Sequence, residues 1–310
     1  MMKPIALLTP TYRRDLDRCA LLCESVDRHL SAASTHYLLV PDADLALFAP
    51  FTSKRRVVLA ASHFLPDWLR PLPSFIRRNR RQFWWSWRAK PVNGWHIQQI
   101  LKIAAAIALP EQRYCILDSD IVFFRDFDLS RFAHPRPIPL LARTNEVSAT
   151  TPCHARWIQT SHQLLGLPAA ELPAEDFIGH VILWDQDTVR ALAARIETTT
   201  GRGWIEALCR TREFSEYMLY GIFAQTTAGL STRHIRVGGT PCASYWDAPT
   251  LGRDELTDLL RRADKNAVAF SIASFSGTAV DAIRTALVGH ERRLARSASA
   301  SPPAELATPC

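Results

Sequence analysis

Short unbroken apolar runs, set apart by stretches of helical spacing, dictate most of what this chain can fold into. Ile5-Ala6-Leu7-Leu8, Tyr37-Leu38-Leu39-Val40 and Arg56-Val57-Val58-Leu59-Ala60 carry no alternation of polar and apolar positions. A strand with one wet face alternates, so an unbroken run needs cover on both faces, as in a parallel sheet between helices. Leu16, Cys19, Ala20, Leu22, Cys23, Val26 and Leu30 recur at near-helical spacing between the first two runs. Ile97, Ile100, Leu101, Ile103, Ala104, Ile107 and Ala108 form a second stripe, stopped by Pro110. The expected class is therefore α/β, with a mostly parallel central sheet flanked by helices. Further strands are expected at 114–117, 121–124, 139–142, 178–184 and 268–272, and helices at 186–197, 203–210, 214–225 and 280–287. Between 66 and 91 prolines, arginines and tryptophans obey neither period, and an irregular surface excursion is expected there. Ser, Ala and Pro dominate after 295, so one domain is expected over 1–294 and a disordered tail over 295–310.

The formal charge of +7 over 310 residues calls for an anionic partner, and the excess is patchy: Lys54-Arg55-Arg56, Arg77 to Arg81 and the stretch from Arg284 to Arg296. Peripheral contact with a membrane surface through these patches is one use for them. The seven cysteines include no Cys-x-x-Cys pair, and Cys19 and Cys23 share a helical face that reads as core packing. The apolar run at 5–8 is shorter than the ~7-residue core of a secretory signal, and no run reaches the ~18 residues of a membrane span. A cytoplasmic location is expected.

Gly94 is the first glycine of the chain. The G-x-G-x-x-G turn and the P-loop both need glycines after an early strand so that the backbone can approach phosphates, and neither can exist here. A nucleotide bound by this chain needs a cation for its phosphates instead. Asp118-Ser119-Asp120 lies where one apolar run ends and another begins. If the segment is extended, residues i and i+2 point to one side and offer two carboxylates to one hard cation, Mn²⁺ or Mg²⁺. Such a pair at the carboxyl end of a strand is where an open α/β sheet binds its ligand.

Ile116-Leu117-Asp118-Ser119-Asp120-Ile121-Val122-Phe123, with the opening run that ends in Thr9-Pro10-Thr11-Tyr12-Arg13, resembles the glycosyltransferase-A fold of nucleotide-sugar transferases. More narrowly, it is similar from residue 4 to about 276 to a bacterial group known mainly as a domain of unknown function, the DUF6492 group. The resemblance implies transfer of a sugar from a nucleotide-diphosphate sugar to a glycan or lipid-linked acceptor, with the metal on Asp118 and Asp120. It implies nucleoside contacts from Thr9, Thr11, Tyr12, Arg13 and Asp42, and a phosphate contact from Lys102. Gly179 and His180 would face the acceptor, with the missing side chain at Gly179 admitting the sugar. His234 is the candidate for a late metal ligand. An inverting transfer needs a carboxylate base. Glu213, Glu216 and Tyr220 would share one helical face, and the resemblance favours Glu216 over Glu213.

Two other readings compete. Arginines interleaved with Trp84, Trp85 and Trp87 suit a nucleic-acid or polyanion binder, although no module pattern accompanies them and no nucleic acid is expected. A metal-dependent phosphoesterase also clusters aspartates but adds His/Asp metal motifs absent from this sequence.

Overall fold

The computed structural model describes residues 5–30, 34–72 and 83–299, so Arg77 to Arg81 and the end of the chain beyond 299 lie outside the described residues. The elements follow in the order β1 (Ala6–Pro10), α1 (Leu16–His29), β2 (His36–Val40), α2 (Leu45–Phe48) and β3 (Arg56–Ala60). Next come β4 (Leu69–Pro71), β5 (Phe83–Ser86), β6 (Val92–Asn93), α3 (Gly94–Ala108), β7 (Arg113–Ile116) and β8 (Ile121–Phe123). β9 (Ile138–Leu141), β10 (Arg143–Val147), α4 (Pro152–Leu165), β11 (Ala174–Asp176), β12 (Ile182–Asp185), α5 (Gln186–Thr200), α6 (Trp204–Arg210) and α7 (Glu216–Thr226) continue the chain. β13 (His234–Val237), β14 (Cys242–Tyr245), α8 (Arg253–Arg262), β15 (Ala269–Ile272) and α9 (Val280–Ser299) complete it.

The chain is an α/β protein with several sheets of mixed direction. The largest sheet has the order β12-β7-β1-β2-β3. Its last four members run parallel, while β12 lies antiparallel to β7. For β1, β2 and β7 the unbroken apolar runs have the cause inferred above, cover on both faces, whereas β3 is an edge of the sheet and leaves Val57 37% exposed. Ala6, Leu8, Leu39, Tyr114 and Ile116 pack with Ile97, Ile100, Leu101, Val189, Met218 and Leu219 on one side. Leu7 and Cys115 face Leu22, Val26, Ile121 and Phe123 on the other. Each fully buried leucine contributes roughly 1.5–3 kcal/mol of transfer free energy. Cys19 and Cys23 pack against Leu38, Val40 and Phe48, as core thiols.

The chain leaves the central sheet after β7, turns through residues 117–120 and enters β8, which belongs to a second sheet, β14-β15-β8. The Asp118-Ser119-Asp120 segment is thus the junction of two sheets. It is not a strand. Ile121 N donates to Asp118 O at 3.2 Å, closing a turn in which the two carboxylates keep different partners, Lys102 for Asp118 and Ser271 with Ser274 for Asp120.

The stretch read as irregular between 66 and 91 contains an antiparallel ribbon, β4-β5-β6. Its alternation is visible afterwards in Trp84, buried, and Trp85, 46% exposed. The strand expected at 178–184 starts only at Ile182. Val181 sits at φ 59°, a left-handed backbone that costs a β-branched residue about 1–3 kcal/mol. Arg56, counted in a surface patch, is buried and donates to Asp27 at 2.8 Å and to Cys23 O at 3.1 Å. α9 continues to Ser299, past the point where the tail was expected to begin. Among the described residues no helix is long and apolar enough to cross a membrane.

Candidate active site

α3 is capped by Asn93, whose side chain accepts from His96 N, and it carries Lys102 on its buried face. The Lys102 ammonium lies 2.8 Å from Asp118 Oδ1 and 2.7 Å from Glu216 Oε1, and donates to Tyr217 Oη at 3.1 Å. Glu216 is the first residue of α7, placed there by the Ser215 cap and by its own N–H donating to Gln99 Oε1 at 3.0 Å. Three segments more than a hundred residues apart at their extremes are therefore tied through one ammonium. Burial opposes charge on Lys102, but Asp118 and Glu216 outweigh it and hold the ammonium far above its ordinary pKa. Removing one partner of such a buried set costs about 3–5 kcal/mol.

Asp118 has a side chain 32% exposed beside a lysine 5% exposed, so it is the solvent-facing member of that ion pair. Burial pushes its carboxyl up, yet Lys102 and His180 prevail and hold it below the usual carboxylate range. Asp120 has the opposite fate. Burial and the Asp118 charge raise it to about 7, and only Arg18 and Ser274 N oppose them. Its oxygens accept from Ser271 Oγ at 3.3 Å and Ser274 N at 3.2 Å. Two neighbouring carboxylates, one ionised and one retaining its proton near neutrality, are the electrostatic signature of a place short of positive charge.

His180 is 2% exposed. Its Nε2 lies 4.0 Å from Asp118 Oδ2 and 3.3 Å from Ser271 Oγ, and its Nδ1 lies 2.9 Å from Ser244 Oγ. Burial lowers its pKa to about 4, so the ring is neutral. The strained Val181 backbone beside it is the turn that directs the imidazole inward before β12 begins. Asp15, at the foot of α1, accepts from Ser119 Oγ at 3.2 Å, and its carboxyl is raised by burial. These groups all stand at one rim: the carboxyl ends of β1, β7, β14 and β15 and the amino end of the antiparallel β12.

Lys102, Asp118, Asp120, His180 and Glu216 are thus brought together as the sequence suggested. Other candidates are placed elsewhere. Glu213 precedes α7 instead of sharing its face, and it pairs with Arg156 of α4. His234 accepts from Tyr220 Oη at 2.8 Å while its other nitrogen donates to Leu230 O at 2.9 Å, so no lone pair remains for a metal. Gly179 does not open the site, because a Cβ there would meet Leu141 Cδ2 at 2.6 Å; the position is needed for close packing. Thr9 Oγ1 is paired with His36 Nε2 at 2.9 Å inside the core. Arg13 clamps the first two strand exits together through Asp44, Nε to Oδ1 at 2.7 Å. Asp42 accepts from Ser62 N at 3.2 Å and joins the second exit to the third. Thr11 is buried and Tyr12 half-buried at the first exit, next to Asp15.

The sequence reading missed Asp15, Ser271, Ser274 and Trp246, whose ring lies flat on His180 with centroids 5.0 Å apart. Asp15 was hidden among the charges of α1, and the other three lie in or just after strands only four residues long.

Among the described residues no group of three or more His, Cys, Asp and Glu side chains converges into a complete metal site. The donor set nevertheless suits a hard cation that keeps water or phosphate oxygens: Asp118 Oδ2 and Asp120 supply carboxylate oxygens, and a cation would take the place of the proton Asp120 otherwise retains.

Residues 2–258 match the family of unknown function DUF6492, and the chain belongs to that family. No curated protein matches it.

Proposed function

We propose that this DUF6492 protein is a metal-dependent glycosyltransferase of the glycosyltransferase-A type. It would use a nucleotide-diphosphate sugar and pass the sugar to a hydroxyl acceptor with inversion. The observation that carries this reading is the convergence, beneath a carboxylate pair at the sheet junction, of Lys102 and Glu216 on a single ionic cluster. The nucleoside lies against the exits of β1 and β2, beside Thr11, Tyr12 and Asp15. A divalent cation held by Asp118 and Asp120 would supply charge neutralisation for the diphosphate.

In this reading the entering diphosphate competes with Asp118 and Glu216 for the Lys102 ammonium. Glu216, freed from that contact and with its pKa raised by burial against the pull of Lys102, is the general base. It takes the proton of the acceptor hydroxyl as that oxygen bonds to the anomeric carbon. The bond from the anomeric carbon to the phosphate oxygen breaks in the same step, and its electron pair leaves with the nucleoside diphosphate. Placing the base in the cluster that also reads the phosphate makes catalysis conditional on donor occupancy.

The test is release of nucleoside diphosphate from a panel of nucleotide sugars in the presence of Mn²⁺. Release should rise when a suitable acceptor is added. Glu216→Gln keeps a hydrogen-bonding partner for Lys102 but cannot take a proton, and should lower turnover by about a thousandfold with donor binding retained. Turnover unchanged in that variant would remove Glu216 from the chemistry.

A further inference from the structure

Trp246 follows β14 directly and leaves 54% of its surface exposed. Its inner face rests on the His180 ring, with planes 18° apart. His180 is fixed in turn by Ser244 and by Ser271, the residue that also reaches Asp120. A scattered exposed tryptophan needs no explanation. This one is held flat from beneath, with its outer face open beside the acidic turn.

The position of the ring narrows what it can hold. β14 and β15 are parallel, with Tyr245 opposite Ile272, and Ala273 N donates to Tyr245 O at 3.1 Å. Trp246 and Phe275, the latter 62% exposed, therefore leave neighbouring strands at the same rim. Ser274, between them in the chain path, holds Asp120 through its N–H. A pyranose has one face of C–H bonds and an edge of hydroxyls. It matches a flat apolar ring flanked by serine hydroxyls and carboxylates better than a wholly apolar or wholly charged ligand does.

We propose that Trp246 is the stacking platform for a pyranose ring presented to Asp118 and Asp120, either the sugar of the donor or a sugar of a glycan acceptor. The proposal rests on the transferase reading for its place in a reaction, and on geometry alone for the stacking.

The experiment titrates the wild type, Trp246→Ala and Trp246→Phe by calorimetry in three arms. The first uses UDP or GDP with Mn²⁺, the second the corresponding nucleotide sugars, and the third neutral mono- and oligosaccharides. Trp246→Ala should leave the nucleoside diphosphate Kd within about twofold and weaken a sugar-containing arm about tenfold. Trp246→Phe should recover most of that loss, and it keeps the test valid if the alanine variant does not fold. The arm that weakens identifies donor or acceptor. Equal weakening in all arms, or none in either sugar arm, overturns the platform. If glycans bind in a Trp246-dependent way but no nucleotide binds, the transferase reading falls and the platform stands. If nucleotides bind without any Trp246-dependent sugar effect, the reverse holds, and binding of nothing overturns both.

Discussion

The two ends of β7 hold two ionic clusters of opposite character. At its amino end Arg113 faces Asp185 across the antiparallel register, at 3.8 Å, and Arg233 donates to Asp185 at 2.9 Å and to Asp187 at 2.8 Å. Tyr220 and His234 close the network with hydrogen bonds. Two cations meet two anions there, and Asp185 also caps α5. At the carboxyl end Asp118 and Glu216 share Lys102, while Asp15 feels the fields of Arg18 and Arg14 and Asp120 that of Arg18, whose guanidinium is held by Ile272 O and Thr278 O. The balanced end matches its carboxylates with guanidinium groups of the chain. At the carboxylate-rich end acids outnumber nearby cations, and under the proposed function that deficit is what a cation would fill.

Substitutions at the two ends should separate these roles, and the largest effect belongs to the balanced one. Asp185→Ala leaves Arg113 buried without its partner and uncaps α5. It should cost about 3–5 kcal/mol in urea unfolding while leaving the nucleotide affinity of the folded protein unchanged. A loss of affinity there would join the two ends into one unit.

Lys102→Met should cost about 3 kcal/mol at neutral pH, because Asp118 and Glu216 lose their common cation. Part of that loss should be regained at pH 5, where the carboxyls can take up protons; a cost independent of pH would mean that packing alone had been lost.

Asp120→Asn should have a smaller effect on stability and one of opposite sign. A carboxyl raised from 3.8 to about 7 binds its proton more tightly in the native state, so the wild type loses stability as pH rises through that window. The asparagine variant should lack this decline and exceed the wild type at pH 8 without metal. His180 supplies the mildest effect. Its pKa falls from 6.5 to about 4 on folding, so the unfolded chain takes up the proton first and stability declines as pH drops from about 6.5 to 4. His180→Gln should flatten that acid limb, as read from unfolding midpoints across pH.

The sequence made the parallel core and the α3 stripe legible because two-sided burial leaves unbroken apolar runs and helical periodicity leaves a stripe. It also singled out Asp118, Asp120, Lys102, His180 and Glu216. What it could not supply was direction. The segment 118–120 reads as strand-like because apolar runs flank it, yet the change of sheet requires a turn, and each carboxylate takes its own partners. Glu213 and Glu216 are equivalent by helical spacing, until Ser215 starts the helix between them. His234 and Gly179 look available for a ligand in one dimension, but Tyr220, Leu230 and Leu141 occupy them in three. Trp246 carried no local signal, since its value comes from the His180 ring beneath it.

Under the proposed function the carboxylate-rich end of β7 binds a divalent cation together with a nucleoside diphosphate. Electron paramagnetic resonance of free Mn²⁺, titrated with protein in the presence and absence of UDP or GDP, tests it most directly. Mn²⁺ uptake should strengthen when nucleotide is present and weaken about tenfold or more in Asp118→Asn and Asp120→Asn, both still folded. Uptake that is the same in the wild type and both variants, or no uptake with any nucleotide, would contradict it.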